Sequence, residues 1–470
     1  MDQKIRINRP FGIRDKIGYL VGNLGNDFMF TFAGVFLMVF YTKVLGIASE
    51  LVGTLFLVAR FLDAFTDITM GRIVDHAHPK KDGKFRPWIR RMALPVAFFS
   101  FLMYQSALAS ATMPLRIAFM FITYLLWGSI FYTAINIPYG SMASAITESP
   151  DGRASLSIFR SIGSIIANIA IGVIIPLFVY TTDENENQIV QGERFTFIAA
   201  VLAALTVLCY IVCYLLTEER VEITPKAQSR TSVFETFKAL LKSRALIGIV
   251  IATVAILAAQ LLGQSINQYL FIDYFKSKNG AALMSAAGML PGLLISPAAV
   301  PLTKKFGKRE IGIFGSLCGA LSCLLLYFMQ TRSIWVYIVI NIIGFLGFSL
   351  FNLIMWAFIT DIIDDSEVKN GVREDATIYG AYSFARKIGQ AIAGGLGGFA
   401  LSFIGFDSSL QVQTEGVAKG IYTIATLIPA VLYLVVGASL AFLYPLTKRK
   451  VAQNTEILKS RKKGNEDTHA

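Results

Sequence analysis

The chain has 470 residues, of which 54% are hydrophobic and 16% charged, and its formal net charge is +12. So apolar a composition excludes a soluble multidomain protein and points to a polytopic membrane protein. The excess Lys and Arg lie in loops and tails between apolar runs, which fits a membrane surface and excludes nucleic acid as a partner.

Apolar runs near the spanning length of about 20 residues recur along the sequence, and about twelve membrane helices are predicted. The first, 17–41, includes Asn23, Asn26 and Asp27 in its first half. The second, 51–74, carries Arg60, Asp63 and Asp67. Asp63 and Asp67 are four residues apart, so a helix places both carboxylates on one face. A charge at mid-bilayer costs about 2.5–3.5 kcal/mol on insertion scales, so the pair demands a cation, a proton or a buried basic partner. Arg60, with Asp63 at i+3 and Asp67 at i+7, reads as a structural counter-ion.

A loop dense in Lys and Arg, ending GKFRPW, precedes spans at 88–110, 115–146, 155–180 and 195–216. The fourth span carries Thr133 and Asn136, three apart on one face, with Pro138 loosening the backbone behind them. Arg160 in the fifth needs an anionic or hydroxylated partner, and Asp27 is the expected one. The segment TTDENENQ between the fifth and sixth spans is predicted to be an acidic outside loop.

The hydrophilic stretch 217–244 then reads as a cytoplasmic linker between two sets of six spans, dividing the chain into 1–216, 245–447 and a tail at 448–470. The second set is predicted at 245–275, 282–302, 311–330, 335–360, 379–403 and 420–444. The basic loop LTKKFGKRE lies where KKDGKFRPW lies in the first set, the trace of an internal duplication. Trp356 in the tenth span suits the apolar face of a sugar ring, and Lys387 lies within the eleventh. Asp361, Asp364 and Glu367, at the end of the tenth, are expected at the cytoplasmic mouth, where Arg153 or Arg373 pairs with them as a gate.

Basic segments before the first span and after the last place both termini in the cytoplasm, and the first helix is expected to be retained rather than cleaved. Cys209, Cys213, Cys318 and Cys323 lie in apolar spans and read as packing residues. His76 and His78 lack a third ligand, so neither a metal centre nor a cofactor is expected.

The motifs GTLFLVARFLDAFTDITMGRIVD, GKFRPW, INIPYGS and GVREDATIYGAYSFARKIGQAIAGG, in this order, resemble the glycoside, pentoside and hexuronide:cation symporters, a branch of the major facilitator superfamily. The resemblance spans nearly the whole chain. It implies an all-α membrane protein of two pseudo-symmetric six-helix bundles, working by alternating access around a central sugar site. It also implies a coupling ion, H+ or Na+, at Asp63, Asp67 and Thr133, and sugar hydroxyls at Asp27 and Arg160, with Tyr132 and Lys387 at or beside these sites.

Asn26, Thr66 and Asn136 stand where the family's melibiose-specific branch carries other residues, so they join the candidate sugar and ion residues while putting galactoside recognition in doubt. The INIPYGS form is nearer the hexuronide or pentoside carriers. The expected protein is a monomeric sugar symporter of the cell membrane. The same fold would alternatively carry a lipid-like or amphipathic anion. An enzyme is disfavoured, because the sequence offers no His cluster or metal-ligand spacing at a membrane edge.

Overall fold

A computed structural model of the chain describes residues 9–80, 82–221, 243–371 and 375–469. Among these, twelve long helices run in succession: α1 Ile13–Val44, α2 Ser49–His76, α3 Arg86–Ser110, α4 Met113–Ile146, α5 Asp151–Val179, α6 Gly192–Leu216, α7 Arg244–Tyr274, α8 Lys278–Phe306, α9 Lys308–Met329, α10 Ile334–Asn370, α11 Asp375–Phe403 and α12 Glu415–Leu443. A further helix, α13 Lys448–His469, occupies the hydrophilic tail. Ten of the twelve are long and apolar enough to cross a membrane. The other two are α2, interrupted by Arg60, Asp63 and Asp67, and α11, which carries Arg386 and Lys387. The architecture is therefore that of an all-α, multi-pass membrane protein.

Helix starts follow local chemistry. Ser149 Oγ accepts from Gly152 N at 3.2 Å and Ser243 Oγ from Leu246 N at 3.3 Å, each satisfying a backbone donor that the helix leaves unpaired. The acidic segment between α5 and α6 is more ordered than a plain loop. It forms a two-stranded antiparallel hairpin, β1 Tyr180–Thr182 with β2 Gln188–Val190. Asp183 closes its turn by accepting from the backbone N–H groups of Asn185 at 3.0 Å and Asn187 at 2.6 Å.

The described chain divides into two compact units. The first holds α1 to α6 together with Phe271–Ala282 and Leu401–Gln413. Within it α1 packs against both α5 and α6, and glycines permit the approach. A Cβ on Gly163 of α5 would lie 2.6 Å from Leu20 O, and one on Gly22 of α1 would lie 2.6 Å from the Sγ of Cys213 on α6. Small residues at such crossings are how membrane helices gain contact without a hydrophobic driving force between them. Cys209 and Cys213 are buried and unbridged in this seam. Tyr19 and Tyr139 stack at 4.7 Å, and Tyr139 Oη donates to Tyr19 O at 2.5 Å, which fixes α4 against α1.

The first residues of the stretch read as a linker are bound into this unit. The Glu219 carboxylate accepts from the backbone N–H groups of Lys84, Phe85 and Arg86, at 2.8, 2.9 and 2.7 Å, and so caps the start of α3. Arg220 holds the buried Asp15 carboxylate at 3.0 Å. Gly83 has φ +115°, and a Cβ there would meet the Glu219 carboxylate at 2.6 Å, so the glycine of GKFRPW serves both the turn and the cap.

In the second unit α9 lies against α10 and α12. A Cβ on Gly315 of α9 would stand 2.5 Å from Gly347 O of α10, and one on Gly319 would stand 3.1 Å from the Tyr433 ring. The tail helix α13 is tied to the end of α10, where Asn454 Nδ2 donates to Asp365 Oδ1 at 3.0 Å.

Gly163→Leu is expected to destabilise the first unit by about 1–3 kcal/mol, the usual cost of overpacking, read as a lower thermal unfolding midpoint of the purified protein. An unchanged midpoint would mean that α1 and α5 do not approach as closely as described.

Candidate functional site

The site grows from two helix faces of the first unit. On α2, the four-residue spacing brings Asp63 and Asp67 to the side facing α4, and α4 answers with two hydroxyls at the same spacing. Ser129 Oγ donates to Asp63 Oδ1 at 2.6 Å, and Thr133 Oγ1 donates to Asp67 Oδ1 at 3.0 Å. Both hydroxyls depend on a local departure of the backbone. Leu126–Tyr132 is a π-helical turn within α4, and widened turns of this kind recur at functional sites. The turn also lets Thr133 Oγ1 reach Gly128 O at 3.2 Å.

Arg60 lies 3.6 Å from Asp63 Oδ2, as its position three residues earlier predicts. Four oxygen-bearing side chains, Asp63, Asp67, Ser129 and Thr133, thus line one helix–helix seam. Oxygen donors of this kind suit a proton or a hard monovalent ion. Thr66 does not join them, because its hydroxyl donates along its own helix to Leu62 O and Asp63 O, both at 3.3 Å.

On α1, Asn23 and Asp27 are again one turn apart, and α5 offers Arg160 and Ser164 at the same interval. Asp27 is expected to pair with Arg160, but Asn23 stands between them. Arg160 Nε donates to Asn23 Oδ1 at 3.0 Å, while Asn23 Nδ2 donates to Asp27 Oδ2 at 2.8 Å. Ser164 Oγ donates to the same carboxylate oxygen at 2.5 Å. An amide has one accepting and one donating end, so Asn23 satisfies both charges while the rest of the guanidinium stays exposed, 5.7 Å from the Tyr139 ring.

The two clusters are joined by aromatic groups. Asn26 is buried behind Tyr132, donating to its hydroxyl at 2.9 Å and accepting from Tyr210 Oη at 3.2 Å. It positions Tyr132 instead of presenting its own amide to the interior. Tyr132 stacks on Phe30 at 5.4 Å, and the Arg60 guanidinium lies 5.4 Å from that same ring. Asn136 is half-buried on α4, without a hydrogen-bond partner among the described residues.

An apolar, multi-pass chain with mid-span carboxylates paired to hydroxyls on a neighbouring helix matches a family model described as MFS/sugar transport protein over residues 18–448. The chain belongs to this family. It is 30% identical to an uncharacterized symporter, YjmB, of Bacillus subtilis, over 97% of both chains. It is 29% identical to a glucuronide carrier protein homolog of Escherichia coli, over 97% of this chain and 98% of that one. Its fold is similar to that of a bacterial homolog to the human lysosomal transporter Spinster, with a TM-score of 0.68, covering 95% of this chain and 99% of that one at 12% identity. The fold is that of the major facilitator superfamily.

In the second unit Trp356 lies on α10, with its side chain outside the described residues, and Lys387 is half-buried on α11. Of the expected gate residues, Arg373 lies outside the described residues. Arg153 donates to Glu148 O at 3.0 Å near the start of its own helix. Asp361 takes Lys308 Nζ at 2.6 Å, so its partner comes from the LTKKFGKRE loop, whereas Arg153 or Arg373 was the expected one. Asp364 and Glu367 follow it on the last turns of α10, where Glu367 O accepts from Arg461 Nη1 at 3.2 Å. No group of three or more His, Cys, Asp or Glu side chains fit to hold a metal occurs among the described residues.

Sequence reasoning passed over Ser129 and Ser164 and gave Asn23 no role. The available signal was spacing: Ser129 precedes Thr133, and Ser164 follows Arg160, by four residues. Asn23→Leu is expected to cost about 1–3 kcal/mol, since it strips partners from Asp27 and Arg160 together, whereas Ser164→Ala leaves Asn23 in place and costs less. Thermal unfolding of both variants checks the order; equal midpoints would show that Asn23 does not mediate between the charges.

Proposed function

We propose that the protein is a secondary active transporter coupling the movement of a sugar to a cation, a proton or a sodium ion, by alternating access. The observation that carries this reading is the α2–α4 seam, in which each mid-span carboxylate is held by a hydroxyl, next to the Asp27, Asn23 and Arg160 network. Without the ion, Asp63 and Asp67 repel each other; a bound cation removes the repulsion and lets α2 settle against α4. Arg60 and Tyr132 both touch Phe30, so a change at Asp63 is felt at the neighbouring polar cluster. Sugar affinity then rises with cation binding, and by linkage the sugar raises cation affinity by the same factor.

The substrate in this reading is a sugar acid or related glycoside. Arg160 keeps exposed donors suited to a planar carboxylate, and Asp27 keeps acceptor capacity for hydroxyls. The similarity to a glucuronide carrier homolog supports the same class. Three mid-span carboxylates, Asp27, Asp63 and Asp67, face two guanidiniums, Arg60 and Arg160, so one bound monovalent cation neutralises the first unit's interior. Both termini are assigned to the cytoplasm by the basic segments that flank the first and last spans.

Counterflow of labelled glucuronide and of a neutral pentoside in vesicles, with and without sodium or a pH gradient, tests the reading. Asp63→Asn and Asp67→Asn are expected to abolish cation-stimulated accumulation. Ser129→Ala is expected to weaken cation affinity by about tenfold, the equivalent of ~1.4 kcal/mol. Retention of both uptake and cation stimulation in Asp63→Asn would defeat the coupling scheme.

A further inference from the structure

The second unit contains a cavity of about 420 Å³ beside the tail helix, where the end of α10, the segment 445–447 and the start of α13 meet. Its wall holds three basic side chains, Lys369 of α10 with Arg449 and Lys450 of α13, and one acid, Asp365. Asp365 is already satisfied: Lys369 Nζ lies 2.5 Å from its Oδ2, and Asn454 Nδ2 donates to its Oδ1 at 3.0 Å. Lys369 and Asp365 cancel, so the wall keeps the positive charges of Arg449 and Lys450.

Neighbouring basic residues of the same unit are all engaged. Lys308 holds Asp361 at 2.6 Å, Lys448 Nζ donates to Lys305 O at 2.9 Å, and Arg309 Nε donates to Leu440 O at 2.9 Å. The Arg449 and Lys450 side chains have neither a carboxylate nor a carbonyl partner among the described residues. Thr447 is in a similar condition. Its Oγ1 accepts from Lys450 N at 3.4 Å, while its own hydroxyl proton has no acceptor among the described residues. A guanidinium, an ammonium and a hydroxyl thus line one concave space with donors to spare.

Adjacent like charges on one wall repel each other, and an anion in the cavity removes that cost. Arginine presents a planar fork that matches phosphate oxygens, lysine adds a point charge, and basic pockets beside membrane helices recognise phosphate headgroups. The volume lies in the ordinary range for a small-molecule site. Phe442, 75% exposed and three residues before Pro445, offers apolar surface nearby for an acyl chain. The tail helix is held on α10 by Asn454 and by Arg461, whose guanidinium donates to Glu367 O at 3.2 Å and Val368 O at 3.1 Å. We propose that Arg449, Lys450 and Thr447 bind the phosphate of an anionic phospholipid or of a soluble phosphate ester, and that this ligand, between α10 and the start of α13, clamps the tail helix in place. The site lies within the second unit and needs no part of the transport reading.

The test uses full-length protein, stripped of lipid in a neutral detergent and titrated separately with phosphatidylglycerol, phosphatidylcholine and glycerol phosphate, bound ligand being counted by native mass spectrometry. The favoured phosphate ligand is expected to bind about tenfold or more tightly than phosphatidylcholine. Phosphatidylglycerol that glycerol phosphate does not displace supports the site with a lipid headgroup as its ligand; glycerol phosphate binding as tightly as the lipid supports it with a soluble ester. Arg449→Gln with Lys450→Gln is expected to weaken binding by about tenfold or more. Lys304→Gln with Lys459→Gln removes two charges of the same unit outside the wall and is expected to leave it nearly unchanged. Bound ligand is also expected to slow amide hydrogen exchange across 448–461. Equal binding of the two lipids with none of glycerol phosphate, or equal effects of the two double variants, overturns the site, and unchanged exchange overturns the clamp. The ligand comparison is made on the parent protein, so it decides even where a variant fails to fold.

Discussion

Everything in the first unit follows from the cost of placing carboxylates where water is scarce. A buried charge needs a partner on a neighbouring element, and these partners come from adjacent helices, of which α5 is brought close to α1 by glycine. Asp63 and Asp67 on α2 are met by Ser129 and Thr133 on α4, and Asp27 on α1 by Ser164 on α5. Each solution uses i,i+4 spacing on both helices, an interval that presents two groups to the same neighbour. The close approach of α5 to α1 at Gly163 therefore belongs to the same physical problem as the charges that the seam accommodates.

The partners are mostly neutral. Arg60 is a basic group within ion-pair distance of Asp63, at 3.6 Å, whereas Ser129, Thr133, Ser164 and Asn23 meet the three carboxylates with hydroxyls and one amide. A lysine or arginine locked onto each acid would neutralise it permanently. Hydroxyls satisfy a carboxylate yet can rotate to present a lone pair to an incoming cation. That difference separates a site that can be charged and discharged from a structural salt bridge such as Arg220 with Asp15, where the guanidinium fixes a carboxylate at 0% exposure.

Much of this is legible in the amino-acid order. The helices, their succession and the residues Asp27, Asp63, Asp67, Thr133 and Arg160 follow from apolar run length, from the expense of intramembrane charge, and from motif resemblance. What escapes are intermediaries. Asn23 and Ser164 are ordinary polar residues in a membrane helix until α1 and α5 are known to meet there, and spacing along one helix does not report the register of another. Ser129 is hidden for a further reason: the π-helical turn Leu126–Tyr132 shifts the face of α4, and no composition rule announces such a turn. The tail likewise reads only as a basic cytoplasmic segment, although Asn454 ties its helix to Asp365.

The distribution of charge limits how the proposed cycle can work. In the first unit the mid-span acids and both arginines lie on α1, α2 and α5, and they are joined through Tyr132, Phe30 and Asn26 into one connected set. The second unit offers glycine crossings between α9 and α10, and basic residues at Arg386 and Lys387 on α11. In the proposed cycle, an ion recognised within one bundle would act on the sugar through contacts that already exist there, so that coupling would need no long relay. Under this reading the cation changes the set from net negative to neutral, so an anionic sugar gains most from its arrival, and a neutral one gains only from the reordering of α2 against α4. The size of cation stimulation across a series of acidic and neutral sugars thereby separates electrostatic coupling from conformational coupling in the same seam.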